Sequence, residues 1–85
     1  MAKLNIDWLE VFVQIHKTKS VSRAAAQLGM EQATASIALN KLRQYFDDRL
    51  FVRTADGMIP TPRAQAIYPE LLEALARVEA ARGKP

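Results

Sequence analysis

EQATASIALNKLRQYF, residues 31–46, is the stretch that decides how this chain folds, because its residues divide into two unlike helical faces. At about 100° per residue, the apolar residues fall on one stripe that should face a core: Ala35, Leu39, Leu42 and Phe46. The opposite face carries amide, hydroxyl, small apolar and basic side chains, with no carboxylate between Gln32 and Phe46. Such a face suits the major groove of DNA, whose rims are lined with phosphates, although a solvated surface helix has the same pattern.

Two helices are predicted before this stretch. Residues 6–16 are rich in apolar side chains and form the first. Ser20 is a suitable N-cap for the second, which has apolar residues at three- and four-residue spacings from Val21 to Leu28 and a helix-ending Gly29. Only two residues separate Gly29 from the next helix, so the pair must cross steeply. This is the helix-turn-helix arrangement, in which the first helix crosses a phosphate backbone and the second enters the groove.

That geometry selects two sets of candidate DNA contacts. The predicted base-contacting residues are Gln32, Ala33, Ser36 and Ile37, and the predicted backbone contacts on the two helices are Ser20, Ser22, Arg23, Lys41 and Arg43. Gln32 is the leading base reader, because its amide both donates to and accepts from adenine. Ser36 either bonds a base or phosphate or back-bonds to its own helix. Ile37 either meets a thymine methyl group or packs against the protein, and each basic side chain either contacts a phosphate or is solvated.

Length and composition favour binding by one small domain. A chain of 85 residues buries only about 60–65% of its unfolded surface, which leaves no room for a buried catalytic cleft. The net charge is +3, but residues 17–43 alone contain five basic side chains and one acidic one. His16 has no nucleophile or ligand set nearby in the sequence and cysteine is absent, so we expect no enzyme activity, cofactor or metal site. Without a secretory segment or an apolar run of about 20 residues, we expect a cytoplasmic chain with no membrane partner.

A hairpin is predicted after the third helix. Two β-prone runs, residues 50–54 and 58–60, lie on either side of Asp56-Gly57, which is a strong hairpin signal. An isolated ribbon is marginally stable, so three apolar residues should anchor it on the helices: Leu50, Phe51 and Ile59. Arg53 should then lie over a phosphate or in the minor groove, as on the wing of a winged helix.

A last helix is predicted from Thr61-Pro62, as N-cap and first helical residue, to about Arg82. Pro69 should kink this helix or split it near Ile67, since proline lacks an N–H group. A stripe of residues at spacings of three and four suits a dimer interface: Ala64, Tyr68, Leu71, Leu75 and Val78. The alternative is that the stripe folds back on the core of its own chain.

Two motifs carry a family resemblance. SVSRAAAQLGMEQATAS at residues 20–36 and LFVRTADGMIPT at residues 50–61, in this order and spacing, resemble the N-terminal DNA-binding domain of LysR-type transcriptional regulators. The resemblance implies a mainly α fold with a small β-ribbon: a winged helix-turn-helix over residues 1–61, then a long linker helix over residues 62–85. It also implies that the linker helix pairs two protomers in a homodimer, which binds an inverted-repeat operator in double-stranded DNA.

Further expectations follow from the resemblance. The predicted backbone or minor-groove contacts beside the ribbon are Arg53, Thr61 and Pro62. Glu31 stands where the family usually has Ser or Thr, and we expect it to cap the third helix. Family members usually continue into an effector-binding domain, which any higher oligomer would need, and the ending at residues 83–85 favours an excised domain. The rival interpretation is a winged helix that binds protein, which the lack of large aromatic residues on the third helix's outer face disfavours.

Overall fold

Four helices and one antiparallel hairpin make up residues 3–83, which are the residues that the computed structural model describes. In chain order the elements are α1 (Ile6–Thr18), α2 (Val21–Leu28), α3 (Gln32–Phe46), β1 (Phe51–Thr54), β2 (Gly57–Pro60) and α4 (Pro62–Ala81). The predicted fold, a winged helix-turn-helix followed by a long helix, is confirmed. Lys84 and Pro85, which entered the expectation of an excised domain, lie outside the described residues.

Local side-chain chemistry sets the helix ends. The Ser20 hydroxyl accepts from the backbone N–H of Arg23 at 3.1 Å, and Gly29 ends α2 with a φ of 67°, both as predicted. α1 runs two residues past its predicted end at His16, to the left-handed residue Lys19, whose backbone N–H donates to the carbonyl of Ile15 at 2.7 Å. The expected cap of α3 is wrong: the Glu31 carboxylate makes no capping hydrogen bond and stays exposed.

The core lies where α1, α2, α3 and the hairpin meet. The predicted stripe of α3 faces it, with Ala35, Leu39 and Leu42 buried and Phe46 half-buried. Small side chains on α2 let the helix axes approach closely. The largest buried side chains come from α1 and the start of the hairpin, and the rings of Phe12 and Phe51 lie 5.3 Å apart. The helix-turn-helix is therefore built on one continuous apolar centre.

The hairpin is held against the helices by one of its two faces. Directly paired residues of antiparallel strands point to the same side, so Phe51, Arg53 and Met58 share the face toward the helices. Leu50 and Phe51 anchor the hairpin as predicted, but the third anchor is Met58 and not Ile59. Ile59 pairs with the exposed Val52 on the outer face, which explains why that prediction is wrong.

The hairpin is also tied to the turn before α2. The Met58 backbone N–H donates to the carbonyl of Lys19 at 2.9 Å. Gly57 has a φ of 103°, and a Cβ at this position would lie 2.6 Å from the same carbonyl oxygen. Only glycine suits both the backbone conformation and this close approach. The hairpin thus has a defined position beside the helix-turn-helix, as a wing.

α4 is one continuous helix, so the predicted split near Ile67 is wrong. Pro69 removes one backbone hydrogen bond, but Pro69 and Gln65, whose carbonyl loses its partner, are both exposed residues. The proximal part of the predicted dimer stripe belongs to the chain's own core. Ala64 is fully buried, and the Tyr68 ring stacks on the His16 ring with a centroid distance of 3.7 Å. For these two residues the alternative interpretation, folding back on the core, is correct, and Leu71 and Leu75 also pack in part against that core.

Candidate nucleic-acid interface

The outer face of α3 is exposed along its length, as its periodicity predicts. Gln32, Ala33 and Lys41 are exposed, and 60% of the surface of Ile37 is accessible. The alternative placement of Ile37 against the protein is therefore wrong. A large aliphatic side chain held in water on a helix with a well-formed core face is a candidate for contact with a partner.

Ser36 lies at the edge of this face and is half-buried. It lines a cleft between α3 and the wing, together with Asn40 and Arg53. Within residues 3–83, the Ser36 hydroxyl does not form the predicted alternative bond to a carbonyl of its own helix. Its hydroxyl therefore remains available to a ligand in the cleft.

The start of α2 adds polar groups beside α3. Ser20 uses its hydroxyl to cap the helix, and the Ser22 hydroxyl lies 3.1 Å from it. Ser22 and Arg23 are exposed. A second shallow cleft brings Ser20, Ser22, Gln32 and Arg53 together with Lys19, which the sequence analysis missed. Lys19 stands at a helix end with a φ of 60°, a position that its residue type does not predict.

Arg53 lies between the wing and the helix-turn-helix. It lies on the hairpin face that also carries Phe51 and Met58, and its side chain is exposed. Both clefts include Arg53, one beside Gln32 and the other beside Ser36. Two of the predicted base-contacting residues, Gln32 and Ser36, are therefore on one surface with the predicted wing residue.

Arg43 stands on α3 as predicted, but it forms hydrogen bonds within the chain that the sequence analysis does not predict. Its guanidinium donates to the carbonyls of Arg49 at 2.7 Å and Phe51 at 3.0 Å, and to the side-chain oxygen of Asn40 at 3.2 Å. Burial, and then the positive charge of Arg49, lower the pKa of this guanidinium. Three of its five N–H donors are thus engaged within the chain, so Arg43 joins α3 to the wing and keeps two N–H groups for the predicted phosphate contact.

Thr61 is likewise engaged within the chain. Its hydroxyl caps α4 by accepting from the Ala64 N–H at 3.1 Å, as predicted, and donates to the Asp48 carboxylate at 2.7 Å. The same carboxylate oxygen accepts from the Leu50 N–H at 2.8 Å. The bond from Thr61, and then the bond from Leu50, lower the pKa of Asp48. This network fixes the start of α4 beside the end of α3, whereas Pro62 is exposed at the surface.

His16 is part of the packing between α1 and α4. Its ring stacks on Tyr68 and meets the edge of Phe51. Burial, and then the charge of Lys19, lower the pKa of its imidazole. Within residues 3–83, no three histidine, aspartate or glutamate side chains are grouped so that they could hold a metal ion. None of the helices in that range is long and apolar enough to cross a membrane.

Comparisons with known sequences agree with this architecture. The family described as "Bacterial regulatory helix-turn-helix protein, lysR family" matches residues 6–65. An uncharacterised HTH-type transcriptional regulator from Methanocaldococcus jannaschii is 41% identical over 63 residues, which are 74% of this chain and 21% of that protein. The chain thus spans about a fifth of the length of this relative.

Solved structures share the fold. An OxyR mutant from Corynebacterium glutamicum has a TM-score of 0.92 and 26% identity, and the match covers 96% of this chain and 26% of that one. The BenM DNA-binding domain, in a crystal structure of its complex with catB site 1 DNA, has a TM-score of 0.87 and 21% identity. That match covers 94% of this chain and 90% of the BenM chain, and at this identity it shows the fold alone.

Proposed function

Because the chain belongs to the LysR family of bacterial regulatory helix-turn-helix proteins, we propose that it binds double-stranded DNA with sequence preference, as the DNA-reading part of a transcriptional regulator. One observation carries the proposal: the exposed face of α3 and the wing residue Arg53 lie on one surface. From the cap residue Glu31 to Phe46, the only carboxylate is that of Glu31, which lies at the edge of this face. A surface rich in amide, hydroxyl and cationic groups complements base edges bordered by phosphates.

The roles divide by position on that surface. α3 lies in the major groove, where Gln32, Ala33, Ser36 and Ile37 face base edges. Backbone phosphates are met from both sides of the groove by Ser22 and Arg23 on α2, by Lys41 on α3, by Arg53 on the wing and by Pro62 at the start of α4. Ser20 and Thr61 support these contacts through the caps that they form.

The proposal includes a homodimer, with α4 as the contact between protomers. Since Ala64 and Tyr68 are used within the chain, the pairing surface is the distal half of α4. Leu71 and Leu75 are half-buried against the chain's own core, Val78 is half-buried and Leu72 is exposed, so each keeps surface for a partner helix. A two-fold axis through this helix makes the two recognition helices read the same sequence in opposite directions, which requires an inverted repeat.

Selection from a random-duplex library tests the function. We expect wild-type protein to enrich an inverted repeat, with half-site centres about one helical turn, or a multiple of it, apart. Gln32→Ala should relax the preference at one base pair, with a loss of about 1–3 kcal/mol of discrimination. Gln65→Ala removes the same group from an exposed position on α4 and should leave the selected sequence unchanged. Enrichment of no sequence over scrambled DNA at fixed salt would contradict the proposal.

A further inference from the structure

The cleft between α3 and the wing gathers three arginine side chains. Its polar lining consists of Ser36, Asn40, Arg43, Arg49 and Arg53, and buried apolar residues complete it: Val21, Leu39 and Met58. No carboxylate lines the cleft. The two ion pairs within residues 3–83 lie on α4 and its C-cap, so none of these arginines forms one, although Asp47 and Asp48 share a neighbouring depression with Arg43 and Arg49. An anion placed among three guanidinium groups would remove their mutual repulsion.

The cleft is already organised before any ligand arrives. The bonds from Arg43 to the carbonyls of Arg49 and Phe51 hold the chain where it enters β1, on either side of Leu50. Leu50 is fully buried with a φ of 66°, so this connection has little freedom to move. Arg49 is the first residue of this segment, Arg53 follows it two residues after Phe51 in β1, and both are exposed. The Arg43 guanidinium and the backbone at Arg49 are thus fixed before binding, which lowers the conformational entropy that binding must remove.

We propose that this cleft holds one phosphate of the DNA backbone, that Arg49 contacts this phosphate directly, and that Arg43 is a positioning residue that holds the wing beside α3. The proposal rests on the proposed DNA binding and adds a contact that the sequence pattern does not predict. Arg49 follows two aspartates at a helix end, which is typical of a solvated turn. The bonds that Arg43 donates to this turn place Arg49 at the cleft.

The salt dependence of binding to a duplex of scrambled sequence tests the contact, because phosphate contacts need no base recognition. The slope of log affinity against log salt should fall by about 0.9 in Arg49→Gln, since one phosphate contact is lost. If the affinities of the variant and of wild type become equal at 1 M salt, the affinity of the variant at about 0.1 M salt should be roughly eight-fold lower. Arg77→Gln is the matched control, with the same change of charge at an exposed position on α4, and should match wild type.

Arg43→Lys separates positioning from charge. This variant keeps a cation in the cleft but loses the planar guanidinium that reaches two carbonyls. It should therefore bind DNA at least as weakly as Arg49→Gln. Wild-type affinity in Arg43→Lys would overturn the positioning role, and a wild-type slope in Arg49→Gln would overturn the phosphate contact. Either result can occur while the library still enriches an operator. Conversely, a reduced slope without any enriched sequence would support the cleft and contradict the proposed sequence preference.

Discussion

Charged side chains are arranged differently on the α3–wing surface and on α4. On α4, Arg77 lies 2.8 Å from Glu73 and Arg82 lies 3.9 Å from Glu79, so cations and carboxylates alternate along one helix. On the α3–wing surface, Arg49 and Arg53 line a cleft that contains no carboxylate. A protein surface balances its own charges where it meets only water, and this one leaves them unbalanced on one side. The contrast supports the proposal that the α3–wing surface meets an external anion.

The largest effect should come from a carboxylate placed in the unbalanced region. In Ser36→Glu the new side chain lies in the cleft, where it pairs with the arginines and repels a phosphate. We expect DNA affinity to fall by about 100-fold, because like charges brought together cost several kcal/mol. The thermal stability should stay the same or rise, since the repulsion within the cleft is relieved.

Ala76→Glu is the control for this charge change. Ala76 is exposed on α4 and lies outside the apolar stripe. Its substitution should change DNA affinity much less, as measured in a titration at the same salt concentration. If both variants lost the same DNA affinity, total charge would govern binding. The different arrangement of charges on the α3–wing surface and on α4 would then not explain DNA binding.

A smaller effect should distinguish the apolar part of the α3 face from its polar part. If Ile37 covers a thymine methyl group, replacing the thymines of the selected half-site one at a time by uracil should weaken binding at one position by about 0.8 kcal/mol, or four-fold. Ile37→Ala should lose this sensitivity. Val52→Ala shortens an exposed aliphatic side chain on the outer face of the wing and should keep it. Equal sensitivity to uracil in all three proteins would contradict the contact.

The parts of this molecule that the sequence predicts are those set by local periodicity and caps. The α3 stripe follows from the helical repeat, and the ends of α2 follow from Ser20 and Gly29. The outer face of α3 was predictable for the same reason, because a helix with one buried side must expose the other. Arg53 could be assigned to the wing since it stands inside a β-prone run next to a turn signal.

The parts that the sequence does not predict depend on contacts between different elements, which are known only once the chain has folded. Arg43 bonds to carbonyls six and eight residues later, and any such contact requires the turn through Leu50 to be known. The anchor at Met58 depends on the strand register, and a shift of one residue exchanges the two faces of a hairpin. The stripe on α4 has the same spacing whether it meets α1 or a second protomer. Only the observed packing separates these alternatives for its proximal part, where Ala64 is fully buried and Tyr68 stacks on His16.

The smallest effect should come from the balanced side of the comparison. Arg77 and Glu73 are largely exposed, with 78% and 64% of their side-chain surfaces accessible, and they stand four residues apart on one helix. Such a pair is screened by water and salt, so a double-mutant cycle of Glu73→Ala and Arg77→Ala should give a coupling of about 0.3–0.5 kcal/mol in the free energy of unfolding by urea. DNA affinity should not change in either single variant. A coupling above about 1 kcal/mol, or a loss of DNA binding in Arg77→Ala, would show that this pair does more than balance charge, and the distinction between the two regions would have to be redrawn.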